Sequence, residues 1–93
     1  MTIFTPPWVS GDGKVHTLAS IPGAPPKAKF VQFTGMSIAG TSRIGDANIG
    51  ATQGYPLASN AGQFFPPTDT PYDLNQICYL LAEGDTGVLV CGV

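Results

Sequence analysis

Glycine and proline interrupt this chain too often for it to hold a long regular element. Twelve glycines and nine prolines make up 21 of its 93 residues, roughly twice their usual combined share of about 12%. Placed along the chain, they act as punctuation: they isolate short apolar stretches and leave no helix of useful length. A bundle of amphipathic helices also needs Glu, Lys and Arg on its outer faces, and here there are one Glu (Glu83), three Lys and one Arg. An all-α fold is excluded on both grounds.

The same excess of turn-forming residues invites a reading as disorder, which the apolar content opposes. Leu, Ile, Val and Phe account for 23 residues, and the formal net charge is only −2. Disordered chains combine low hydrophobicity with high net charge, so this one is expected to fold. A domain this short buries only about 60 to 65% of its unfolded surface, a thin margin for a free-standing monomer. Oligomerisation is the expected remedy.

Residues 1–13 read as an extended amino-terminal arm, because Pro6-Pro7 cannot sit in a central strand and Gly11-Asp12-Gly13 is a turn. Trp8, the one tryptophan, rides on that arm, either as a lid over its own core or as a contact with a neighbouring subunit. Residues 14–93 read as one β-sandwich domain. The first expected strands are 14–20 and 29–34, the second with Val31 and Phe33 on one face and Phe30, Gln32 and Thr34 on the other. Residues 41–45 and 48–52 are expected to form a hairpin about Asp46-Ala47. A short strand at 63–65 precedes a double proline, TDTPYDL (68–74) is a loop, and 75–82 and 86–92 close the fold as a terminal hairpin. Both closing strands are apolar on both faces, as central strands of a packed sandwich are. The sum is an all-β chain of about seven short antiparallel strands, a sandwich or jelly roll.

Cys78 and Cys91 flank the turn Glu83-Gly84-Asp85-Thr86. A two- or four-residue loop centred between Gly84 and Asp85 would place them opposite each other on adjacent strands; with the two-residue loop they fall at a non-hydrogen-bonded pair, α-carbons about 4.5 Å apart, near the short limit for a disulfide. The alternative is two small buried thiols in a reducing compartment. A three- or five-residue loop would break the pairing.

Four basic residues, Lys14, Lys27, Lys29 and Arg43, against six acidic ones leave no electrostatic footprint for nucleic acid or an anionic membrane. The longest purely apolar run, ICYLLA (77–82), falls far short of the roughly 20 residues that span a bilayer. The amino terminus has no basic n-region and no long apolar h-region, so export by the usual route is not expected. His16 is the only histidine and hence the only imidazole base. Each cysteine sits in an apolar strand, which raises a thiol pKa instead of lowering it. No C-x-x-C or H-x-x-x-H spacing suggests zinc, and no GxxxxGK[ST] loop cradles phosphate. Asp69 and Asp73 offer loop oxygens to a hard cation, but isolated turn aspartates ordinarily accept backbone amides. No catalytic residue, metal or cofactor is therefore expected, and the chain reads as non-enzymatic.

The aromatic residues are the remaining candidates. Phe4, Trp8, Tyr55, Phe64, Phe65 and Tyr72 are taken as candidate interface residues, with core packing, a subunit interface and a sugar-stacking site as the three readings of the loop-rich middle.

The stretches SRIGDANIGATQGYPLASNAGQFFPP (42–67), PYDLNQICYL (71–80) and GDTGVLVCG (84–92) resemble small structural proteins of tailed bacteriophages. The resemblance covers roughly residues 27–92 and leaves the arm outside it. It implies a β-sandwich or jelly-roll subunit of the virion, a homotrimeric capsid decoration (cement) or minor capsid protein that binds the major capsid protein after assembly in the host cytoplasm. No catalytic residues come with it. The alternative is a tail or fibre component that holds a host glycan or a partner protein. A cupin-like enzyme would share the architecture but needs a cluster of histidines that this chain lacks.

Overall fold

A computed structural model of the chain describes residues 2–36, 42–50, 52–57 and 61–93. Apart from one 3-10 turn, Leu18–Ser20, the regular structure of these residues is all strand. In chain order the strands are β1 (Ile3–Phe4), β2 (Val9–Ser10), β3 (Val15–Thr17), β4 (Lys27–Ala28), β5 (Phe30–Met36), β6 (Arg43–Gly45), β7 (Tyr55–Pro56), β8 (Ala61–Phe65), β9 (Tyr72–Asp73), β10 (Cys78–Leu80) and β11 (Thr86–Gly92). The expectation of about seven undercounts them. Gly and Pro cut the chain finely enough that several strands are only two residues long, yet these still find partners.

Two sheets carry the fold. One has five strands in the order β1-β11-β5-β8, with β2 also on β11, and the other runs β3-β10-β6-β7. A two-stranded piece, β4 with β9, completes them, and the pairings are antiparallel. The expected alternation on β5 is observed: Val31 and Phe33 are buried while Gln32 is exposed. On β11 Gly87, Leu89 and Cys91 are buried in alternation, and the terminal Gly92 is buried as well. Val31, Phe33, Leu89 and Cys91 meet Tyr79 and Ile44 of the other sheet in a single cluster, filled out by Leu18, Ile21, Ala28, Leu57, Leu74 and Leu81. Phe33 and Tyr79 stack across the cluster with ring centroids 5.1 Å apart, a geometry that adds to their burial.

The expected connectivity is corrected at three places. Strand 14–20 ends at Thr17, where the chain tightens into the 3-10 turn closed by the Ile21 N–H donating to the Leu18 carbonyl (3.2 Å). The hairpin about Asp46-Ala47 does not form between the expected strands. β6 pairs with β7, and residues 46–50 make a turn, with the Asp46 carboxylate accepting the Asn48 N–H (2.9 Å); residues 41 and 51 lie outside the described ones. Ile49 of this turn is buried over Gly45, where a Cβ would come within 2.6 Å of the Ile49 Cγ2. The loop after β6 thus covers part of the outer face of the four-stranded sheet.

The third correction concerns the ending. β10 and β11 belong to different sheets, each as a central strand: β10 lies between β3 and β6, and β11 between the β1/β2 edge and β5. Residues 81–85 carry the chain from one sheet to the other. Asp85 is buried there, accepting the Ser42 hydroxyl (2.5 Å), while the Ser42 Oγ accepts the Ala82 N–H (3.1 Å). Cys78 therefore pairs with Thr17 and Gly45, and Cys91 with Phe4 and Val31. Both are free buried thiols, and the cross-strand disulfide geometry is absent.

The segment read as an arm lies along β11. Ile3 and Phe4 stand opposite Gly92 and Cys91, and Val9 and Ser10 stand opposite Gly87 and Thr86. Between these pairs four residues, Thr5 to Trp8, face three, Val88 to Val90. The extra residue is a bulge at a sheet edge, where prolines that cannot join a ladder are tolerated. Phe4 and Val9 pack on the core and Pro6 is buried, whereas Pro7 and Trp8 are exposed.

Candidate interaction surface

The outward positions of the five-stranded sheet follow from the register. Phe30, Gln32, Thr34 and Met36 of β5 lie beside Val88 and Val90 of β11 on one side and Phe64 of β8 on the other. Ile3 and Ser10 extend the face along the other edge, because they pair with the outward Gly92 and Thr86. The bulge puts Trp8 at the rim of this face, two residues before Ser10. Large apolar side chains here are unusually open: Ile3 is 53% exposed, Trp8 65% and Phe64 50%. None of the chain's ten charged residues lies on any strand of this sheet. An uncharged and partly apolar sheet face of this kind ordinarily marks a contact surface. On the other sheet Ile49 covers part of the outer face.

The six candidate aromatics do not form one patch. Phe64 lies on β8 at one edge of the five-stranded sheet, and Trp8 immediately precedes β2 at the other edge. Trp8 does not lid its own core. Phe4 and Phe65 face inward and pack on the core. Tyr72 is held against Phe65 edge-on, with centroids 5.5 Å apart, and its hydroxyl donates to the Pro66 carbonyl (2.8 Å). Tyr55, 56% exposed, lies on β7 at the edge of the other sheet. Val88, Val90, Phe30 and Met36 belong to the surface and were not among the candidates. For Val88 and Val90 the signal was the two-sided apolar pattern of 86–92, which fits burial against a partner as well as burial inside one chain.

Several titratable groups are engaged in local structure. Asp12 caps its own turn by accepting the Lys14 N–H (3.0 Å) and pairs with the His16 Nε2 at 2.9 Å. The His16 partner, then the Lys14 amide, holds the Asp12 carboxyl below its ordinary value. The His16 ring lies 5.6 Å from that of Tyr79, and Ser20, the nearby hydroxyl, donates to the Thr17 carbonyl (2.7 Å). Burial pushes both thiols up, Cys78 further by the charge of Asp46, so neither is an activated nucleophile. Asp73 accepts the Asn75 N–H (2.9 Å), the turn role expected of it. Asp69 lines an open depression of about 440 Å³ with Lys29, Pro67 and Thr68. Among the described residues no three His, Cys, Asp or Glu side chains converge as a metal site would require, and no helix is long and apolar enough to cross a membrane.

No family model matches this chain, and no match was found among curated proteins or solved structures.

Proposed function

We propose that this chain is a non-enzymatic structural subunit of a virion, a capsid decoration or minor capsid protein that works as an oligomer and stabilises the head by adding contacts to its lattice. The observation that carries the reading is the outer face of the five-stranded sheet: no strand of it carries a charged residue, Ile3, Gln32 and Phe64 are exposed on it, and Trp8 is exposed next to β2. A small domain with a thin stability margin gains from burying such a face on assembly. The resemblance of residues 42–67, 71–80 and 84–92 to phage structural proteins supplies the setting. The tail or fibre alternative needs aromatic rings of the loop-rich middle to form one sugar-stacking site, and two of them, Tyr55 and Tyr72, lie on different sheets, Tyr72 with its hydroxyl already bonded.

The test uses purified particles of the virus that encodes the chain. The protein should band with particles in a density gradient at many copies each, and particles lacking it should release their genome at a lower temperature or chelator concentration. Particles free of the protein, with unchanged heat resistance when it is deleted, would refute the reading.

A further inference from the structure

We infer that the outer face of the five-stranded sheet docks on the same face of a second copy of this chain, as a two-fold pair. The inference rests on the reading of this face as an assembly surface, and it names the partner. Charge is the first argument. With no charged residue on β1, β2, β5, β8 or β11, the face offers nothing to a charged partner and opposes nothing to its own image. Two copies therefore meet without the like-charge juxtaposition that ordinarily prevents self-association.

Area is the second. Four strand positions about 4.8 Å apart and up to seven residues at about 3.3 Å each give a sheet face of at most about 440 Å². Trp8, 65% exposed at the rim, adds about 150 Å² if the partner covers it. At most about 1,200 Å² would then be buried over both copies, the lower limit of specific, stable interfaces. The expected pair is reversible, with dissociation in the range of about 1 to 100 µM. Closure supports the same partner, because a two-fold contact consumes the face on both copies, whereas a head-to-tail contact leaves one open at each end. The threefold assembly implied by the phage resemblance would have to use another surface.

Trp8 is the only tryptophan and so reports docking directly. In purified full-length protein, sedimentation should show a monomer–dimer equilibrium, and tryptophan emission should shift to the blue as concentration rises through it. Gln32 is exposed at the centre of the face, beside Val90 and opposite Phe64, so Gln32→Lys is compatible with folding. It sets like charges against each other in the pair and should weaken dimerisation at least tenfold with unchanged circular dichroism. Val15→Lys, at an exposed position on the other sheet, should leave dimerisation and the blue shift intact.

A protein that stays monomeric to about 1 mM, or a dimer indifferent to Gln32→Lys, overturns self-pairing. Particle binding then distinguishes the two failures. If Gln32→Lys abolishes it, the face serves a different protein; if not, the face is no assembly surface.

Discussion

Two glycines show how closely the backbone of this fold is packed, and they set a graded prediction. A Cβ on Gly87 would lie 2.5 Å from the Phe33 Cζ and 2.9 Å from the Leu81 Cδ1, at the point where the two sheets meet. A Cβ on Gly11 would lie 2.0 Å from the Ala82 carbonyl oxygen. Side chains can yield by a fraction of an ångström; backbone held by its own hydrogen bonds cannot. Here the Gly11 N–H donates to the Asp85 carbonyl (2.8 Å) and the Gly13 N–H to the Leu81 carbonyl (2.9 Å), so this approach ties the amino-terminal turn to the crossover between sheets. Gly87→Ala should cost about 1–3 kcal/mol, the usual penalty of overpacking, and Gly11→Ala more than that. Gly50→Ala, where no atom lies within 4 Å of the new Cβ, should fall within about 0.5 kcal/mol of the parent. Urea unfolding of the three variants gives the ranking, and a Gly11→Ala as stable as Gly50→Ala would contradict it.

At the scale of elements, period-two alternation made the faces of β5 legible, and two-sided apolarity marked β10 and β11 as central strands. The pairing of strands was not legible in the same way. Residues 75–82 and 86–92 look like a hairpin because a glycine turn lies between them, but a turn residue does not encode whether the next strand returns beside its predecessor or crosses to another sheet. That choice depends on contacts distant in sequence, such as Ser42 with Asp85. The candidate surface was half legible for a related reason. Aromatic type singled out Trp8 and Phe64, whereas two-sided apolarity marked the strand that carries Val88 and Val90 but only the register places them on this face. The corrected pairing has a chemical consequence. Cys78 is 4% and Cys91 0% exposed, on separate sheets, so a thiol reagent should modify the native protein at least on the order of 100-fold more slowly than the urea-unfolded chain, because reaction must await opening. Mild oxidant should leave the intact mass without the loss of two hydrogens. Rapid native labelling, or an internal disulfide under native conditions, would show the pairing to be wrong.

For the whole molecule, the shifted groups define a pH window of stability with different origins at its two ends. Burial raises the pKa of Cys78 and Cys91 above the ordinary 9.0, and that of Tyr79 above the ordinary 10.0, the last also through the charge of Asp12. As pH rises through these ordinary values, the unfolded chain gives up protons that the folded chain keeps. The native state then binds more protons than the unfolded one, and stability falls with increasing pH. Asp12 acts at the other end with the opposite sign. Its carboxyl is held below 3.8 by His16 and the Lys14 amide, so its contribution is present above that value and is lost as pH falls toward the lowered pKa. Thermal midpoints should therefore be nearly flat between about pH 5 and 8.5 and decline on both sides. Asp12→Asn should differ from the parent at neutral pH and converge with it below pH 3.8. Tyr79→Phe keeps the ring beside Phe33 and removes the buried phenol, so its alkaline decline should be shallower than the parent's above pH 10.0. An alkaline slope the same in parent and Tyr79→Phe would mean that the phenol takes no part in the loss, and a constant gap between parent and Asp12→Asn down to pH 2 would remove the Asp12 contribution.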